Sequence, residues 1–146
     1  MGDGILSNLN PLNAYRETNI KTASQGKLII MLYEEAVRQM QVAVAELGAG
    51  VPKLDLVSNS IIKAQDIITE LMVSLDFDKG GEIAKNLYSL YVFFNQQLMQ
   101  ANVQKNAELI SPVLDMVQDL KDAWSQVFAK AGTGTSGMPG GVNIAG

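Results

Sequence analysis

Apolar residues recur at steps of three and four along four separate stretches of the chain, with polar residues filling the positions between. In the first stretch Ile29, Tyr33, Ala36, Met40, Ala43 and Leu47 advance by 4, 3, 4, 3 and 4. Leu54, Val57, Ile61, Ala64, Ile68, Leu71 and Leu75 form the second set, and Ile83, Leu87, Leu90, Phe94, Leu98 and Ala101 the third. Ile110, Val113, Val117, Leu120, Trp124, Val127 and Ala131 form the fourth. Such spacing puts each set on one helix face, and there is almost none of the alternation a half-buried strand requires. Breaks fall at Gly48 to Pro52, Asp76 to Gly81 and Asn102 to Asn106. Short connections make chain neighbours antiparallel, so the expected fold is all-α, an antiparallel up-down four-helix bundle.

Capping residues place the helix starts at Thr22 or Ser24, at Asp78 and at Asn106. Pro112 admits two readings. A fourth helix that begins at Asn106 carries Pro112 in its second turn, whereas one that begins at Ser111 puts it at the favoured first position. Residues 1–23 have little periodicity and read as an N-terminal arm, 24–131 as the bundle and 132–146 as a tail. Six of the 13 glycines fall in that tail, which predicts flexibility there.

At 146 residues with 47% hydrophobic and 18% charged content, the chain fits one globular domain. It has no Cys and no His, which removes disulfides, imidazole acid–base chemistry and the commonest metal ligands. The net charge is −4 and the basic residues are spread singly, so no nucleic-acid footprint is expected. The longest uninterrupted apolar run, Leu28 to Tyr33, is far short of the roughly 20 residues of a membrane span. No basic start followed by an apolar stretch opens the chain, so the expected address is cytoplasmic.

Gly132 to Gly137 matches G-x-G-x-x-G but follows a helix near the chain end, the wrong context for a dinucleotide. Asp76 to Gly81 resembles the start of a calcium loop, yet Gly80 and Leu87 stand where ligands are needed. Arg16 and Arg38 are the only arginines, too few for an enzyme that clamps an anion. Glu34, Glu35, Glu70, Asp119 and Asp122 read as solvated faces. No catalytic residue, cofactor or metal is expected.

The informative feature is a surplus of apolar residues. Tyr88, Val92 and Met99 make a second stripe beside the third helix's core set and widen its apolar arc to roughly 200°. Phe93 falls further out, and on the second helix Ile62 and Val73 lie on one line outside the core set. Ile62, Val73, Tyr88, Val92, Phe93 and Met99 are therefore candidate partner-binding residues, forming a groove for a helix or extended peptide. Thicker packing within the bundle, or a homodimer face, is the alternative.

Several ordered motifs carry a family likeness: Leu12-Asn-Ala-Tyr15; Thr22-Ala-Ser-Gln-Gly-Lys-Leu28 leading into Met31-Leu-Tyr-Glu34; Ile62-Lys-Ala-Gln-Asp-Ile-Ile68; Gly80-Gly-Glu-Ile-Ala84; Leu90-Tyr91; and Leu120-Lys-Asp-Ala-Trp124. From about residue 12 to residue 130 the chain resembles the FliS family of flagellar secretion chaperones. It departs from the family's habit at Gln25, usually Pro, and at Lys27, often acidic or polar. The resemblance implies a cytoplasmic four-helix bundle that binds the C-terminal segment of new flagellin, prevents premature polymerisation and aids delivery to the flagellar export apparatus. It also implies partner contacts near the N-terminal segment, at positions matching Leu12 and Tyr15. Those two residues, three apart, share one side of a helical turn, and the arm is expected to dock on part of the groove until flagellin displaces it. A homo-oligomeric helical scaffold without a peptide client is the competing expectation.

Overall fold

The computed structural model describes residues 22–132, so the arm with Leu12 and Tyr15, and the tail, lie outside the described residues. Four helices follow one another: α1 Thr22–Leu47, α2 Leu54–Val73, α3 Phe77–Gln104 and α4 Ala107–Gly132. No strand occurs among the described residues. Each helix packs on its chain neighbours and α4 returns to α1, which closes a four-membered ring around one core.

Local chemistry sets the helix ends. Asp76, and not the expected Asp78, caps α3: its backbone is extended, and its carboxylate accepts from the Lys79 amide at 3.0 Å. Asp78 sits inside the first turn, where its charge favours the helix dipole. The expected turn from Asp76 to Gly81 is already helical from Phe77, and the break comes at Gly81, with φ 52° and ψ −127°. Glycine alone adopts that conformation at no steric cost. At the other end Lys105 takes a left-handed conformation, held by its own ammonium, which donates to the Asn102 carbonyl at 2.7 Å and to Asn102 Oδ1 at 2.9 Å. Asn106 then caps α4 by accepting from the Glu108 amide at 2.9 Å. Of the two readings of Pro112 the earlier start holds: the proline lies within α4 on an exposed face, where its missing N–H faces water rather than the core.

The core follows the expected sets with instructive exceptions. Tyr33, Phe94, Met40, Ile61, Ile68 and Leu98 are its largest fully buried side chains. Leu54, at 51% exposure, starts α2 beyond the end of the packed region, and Ile83, at 38%, follows the Gly81 break that turns its helix aside. Tyr91 and Phe128 take buried places outside the expected sets, and Leu90 is only half-buried because Tyr91, one residue on, points inward.

Three aromatic residues from three helices meet by their polar atoms inside this core. Trp124 Nε1 donates to the Tyr33 hydroxyl at 3.1 Å, and the Tyr33 and Tyr91 hydroxyls share a hydrogen bond. Burial pushes the Tyr33 phenol up to about 12 and the Tyr91 phenol well above its ordinary range, so both stay neutral and hydrogen-bonded. Phe128 stacks on Trp124 at 5.4 Å between ring centroids and lies against Gly26 of α1.

A methyl group at Gly26 would stand 2.6 Å from Phe128 Cγ, an atom too near the backbone to swing aside. Gly26→Ala is therefore expected to destabilise the fold by about 1–3 kcal/mol even though alanine is the better helix former. In a Phe128→Ala background the same change is expected to be neutral or stabilising, and urea unfolding of the four proteins of that cycle measures the difference.

Candidate functional site

The seam between α2 and α3 is polar. Ser58 Oγ donates to Asn102 Oδ1 at 2.9 Å, Gln65 Nε2 donates to the Asn95 carbonyl at 3.1 Å, and Asn95 Nδ2 donates to Thr69 Oγ1 at 3.1 Å. These bonds fix the antiparallel register. Ile62 lies between Ser58 and Gln65 on one helix and Met99 between Asn95 and Asn102 on the other, so the two stand at the same level. Val73 and Tyr88 lie beyond the Thr69–Asn95 link, towards the turn that joins the helices.

Along this polar seam the flanks are apolar. Ile62, Val73, Tyr88 and Met99 are exposed, and Val92 is half-buried. Tyr88, Val92 and Met99 share one side of α3, at steps of 4 and 7. Val103, four residues past Met99, extends the stripe, and the same periodicity would have found it. Phe93 does not join them: it is exposed, but lies about 100° round the helix from Val92 and about 140° from Tyr88, on the shoulder away from α2. Its ring packs on Phe94, with centroids 6.0 Å apart.

Phe77 is a member that periodicity could not supply. Eleven residues of continuous helix would separate it from Tyr88 by about 16.5 Å. The two rings instead meet edge to face with centroids 6.0 Å apart. The Gly81 break folds the first turn of α3 back, so Phe77 and Tyr88 meet at the α2–α3 end of the stripe. The result is a long apolar flank with hydrogen-bonding groups along its middle, an arrangement suited to an amphipathic helix and without a reacting group.

No cluster of three or more metal-ligating acidic residues occurs among the described residues. A recess lined by Ile29, Tyr33, Leu71, Ser74, Leu75, Tyr91 and Trp124 has room for no more than about one water molecule. Of the carboxylates expected on solvated faces, Glu35 is held below its ordinary range by the hydrogen bonds from Arg38, at 2.7 and 2.9 Å. Glu70 departs from expectation: it is 4% exposed, with Oε2 buried and without a hydrogen-bond partner among the described residues.

These residues lie in a chain with clear relatives. The family model described as Flagellar protein FliS matches residues 8–131. The chain is 36% identical over 118 residues to the flagellar secretion chaperone FliS of Salmonella typhimurium, covering 79% of this chain and 84% of that protein. Its likeness to the FliS chaperone of Vibrio cholerae is 31% over 80% of this chain and 87% of that protein, and to that of Bacillus subtilis 29% over 82% and 86%. No helix among the described residues is long and apolar enough to cross a membrane.

Burial first, and the nearby Asp66 charge second, push the Glu70 carboxyl from its ordinary 4.5 up to about 7. Between those values the folded chain holds a proton that the unfolded chain has lost. The stabilisation is therefore complete below about pH 4.5 and is lost as pH rises through 7. Glu70→Gln is expected to remove that loss, read as a flatter dependence of Tm on pH between about 4.5 and 7 than the parent shows. Parallel curves for the two proteins would contradict it.

Proposed function

The chain belongs to the FliS family of flagellar secretion chaperones, and from that premise we propose that it binds the C-terminal segment of flagellin along the α2–α3 flank. It works in the cytoplasm, keeps that segment from polymerising early and passes it to the flagellar export apparatus. The observation that carries this reading is the run of exposed apolar residues beside a hydrogen-bonded seam, from Val73 and Tyr88 to Ile62 and Met99.

The physical logic is that of a helix laid into a groove. Flagellin ends in amphipathic segments that are unfolded in the monomer and helical in the filament, so before assembly their apolar faces have nothing to cover them. Each 100 Å² of apolar surface buried on the flank contributes about 2.5 kcal/mol, against an ordering cost of about 2–5 kcal/mol for the segment. A surface that buries several such patches binds, and one whose contacts are undirected aliphatic and aromatic packing also releases when a competing assembly offers more. No bond is made or broken; the activity is binding and release. Leu12 and Tyr15 supply a further contact, towards the export apparatus.

Tyr88→Asp and Met99→Asp are expected to weaken binding of a flagellin C-terminal peptide at least about a hundredfold, since each puts a charge in the middle of the apolar contact. Both side chains are exposed in the free protein, so Tm should move by no more than a few degrees. Phe93→Asp, on the other shoulder of α3, is expected to bind nearly as the parent does. Light scattering should show a one-to-one complex. A stable oligomer indifferent to the peptide would favour a homo-oligomeric scaffold, and full affinity in both Asp variants would move the site elsewhere.

A further inference from the structure

The α2–α3 seam contains one hydrogen-bonding atom that the fold leaves unused. Thr69 Oγ1 donates its hydrogen to the Gln65 carbonyl at 2.9 Å, which leaves only lone pairs on that oxygen. The Asn95 amide must therefore present its nitrogen to Thr69, and it does so at 3.1 Å. Its backbone carbonyl is taken by Gln65 Nε2 at 3.1 Å. With the amide oriented in this way, Asn95 Oδ1 is buried and has no partner among the described residues. Asn102, the other asparagine of the seam, is in the opposite state: its Oδ1 accepts from both Ser58 and Lys105.

An acceptor shielded from water and unpaired is costly, and the cost disappears once a donor arrives. Asn95 stands in the middle of the apolar flank. Met99, with Ile62 at its level, is one turn away along α3, about 6 Å, and Val92 is about 4.5 Å away in the other direction. The terminal amide torsion of asparagine is soft, so Oδ1 can adjust to an arriving donor without backbone movement.

We propose that Asn95 is a specificity-determining residue of the flank, and that its side-chain oxygen accepts a hydrogen bond from a donor side chain on the docked helix. The inference rests on the reading of the flank as the site for the flagellin segment, and it names the chemistry of the occupant. The docking face of that segment carries an amide, hydroxyl, ammonium or guanidinium group, with apolar residues about one helical turn to either side. An otherwise similar helix with an apolar residue at the central position leaves Asn95 Oδ1 unpaired as it is in the free chain, gains nothing there, and so binds less tightly than a helix that brings a donor.

The test uses the full chain and a fluorescent synthetic peptide covering the C-terminal segment of the flagellin from the same genome. Each Asn, Gln, Ser, Thr, Lys and Arg of the peptide is replaced singly by Met, and every peptide is titrated against the parent, Asn95→Leu and Asn95→Asp. One replacement is expected to weaken binding to the parent about tenfold and to leave binding to Asn95→Leu unchanged. Asn95→Asp, which keeps an acceptor, should discriminate as the parent does. Thermal melting checks each variant, and Asn95→Met serves the same purpose where Asn95→Leu melts early. If no replacement separates the parent from the apolar variants, the role of Asn95 is overturned while the flank remains the site. If the unmodified peptide fails to bind the parent, or binds equally well to Tyr88→Asp, the site reading fails and the inference with it.

Discussion

A helix in a four-helix bundle turns one face inward, and α3 carries more apolar side chains than that face can hold. Leu87, Tyr91, Phe94 and Leu98 fill the inward side, while Tyr88, Met99 and Val103 stay exposed and Val92 is half-buried. A monomer whose only requirement was to fold would place polar residues at those outer positions, as α3 does at Gln96 and Gln100. The apolar stripe is surface beyond what the core requires, and it stays in water without collapse because the rest of the bundle is tied down by other contacts.

That tying down comes from the interior. The aromatic link of Tyr33, Tyr91 and Trp124 joins three helices through polar atoms that have few other partners inside the core, so the helices are held at a particular rotation as well as in contact. Gly26 lets α1 and the Phe128 ring approach closely at one end, and the seam bonds of Ser58, Gln65 and Asn95 lock α2 to α3 along their length. Rotation is what matters for the flank. A turn of α3 by a third of its circumference would bury Tyr88 and Met99 and expose its core residues instead.

The fold was largely legible in the chain because heptad spacing survives folding: three- and four-residue steps located all four helices and most of the core. Where that reading slipped, a local event overrode periodicity. Gly81 breaks α3, exposes Ile83 and carries Phe77 back to Tyr88, and no face-counting argument that assumes one straight helix finds that contact. Tyr91 stood next to Leu90 with similar apolar weight, and the choice between them depends on hydroxyl partners from α1 and α4 that only the packed core brings close. Glu70 looked like any solvated carboxylate, since burial by a neighbouring helix leaves no mark in the local sequence. The stripe is visible in the chain as excess, whereas the position of Phe93 relative to α2 depends on where the α2–α3 seam runs, which only the packed helices show.

Under the proposed function the flank receives its partner without disturbing the core that holds it in place. Methyl-resolved NMR of the full chain, titrated with a flagellin C-terminal peptide, measures both halves of that statement. The account predicts that the methyl signals of Ile62, Val73, Val92 and Met99 shift, while those of Ile61, Ile68 and Val113 in the core stay in place. Shifts confined to Met31 and Met116 on the other helices, or spread through the core, would contradict it.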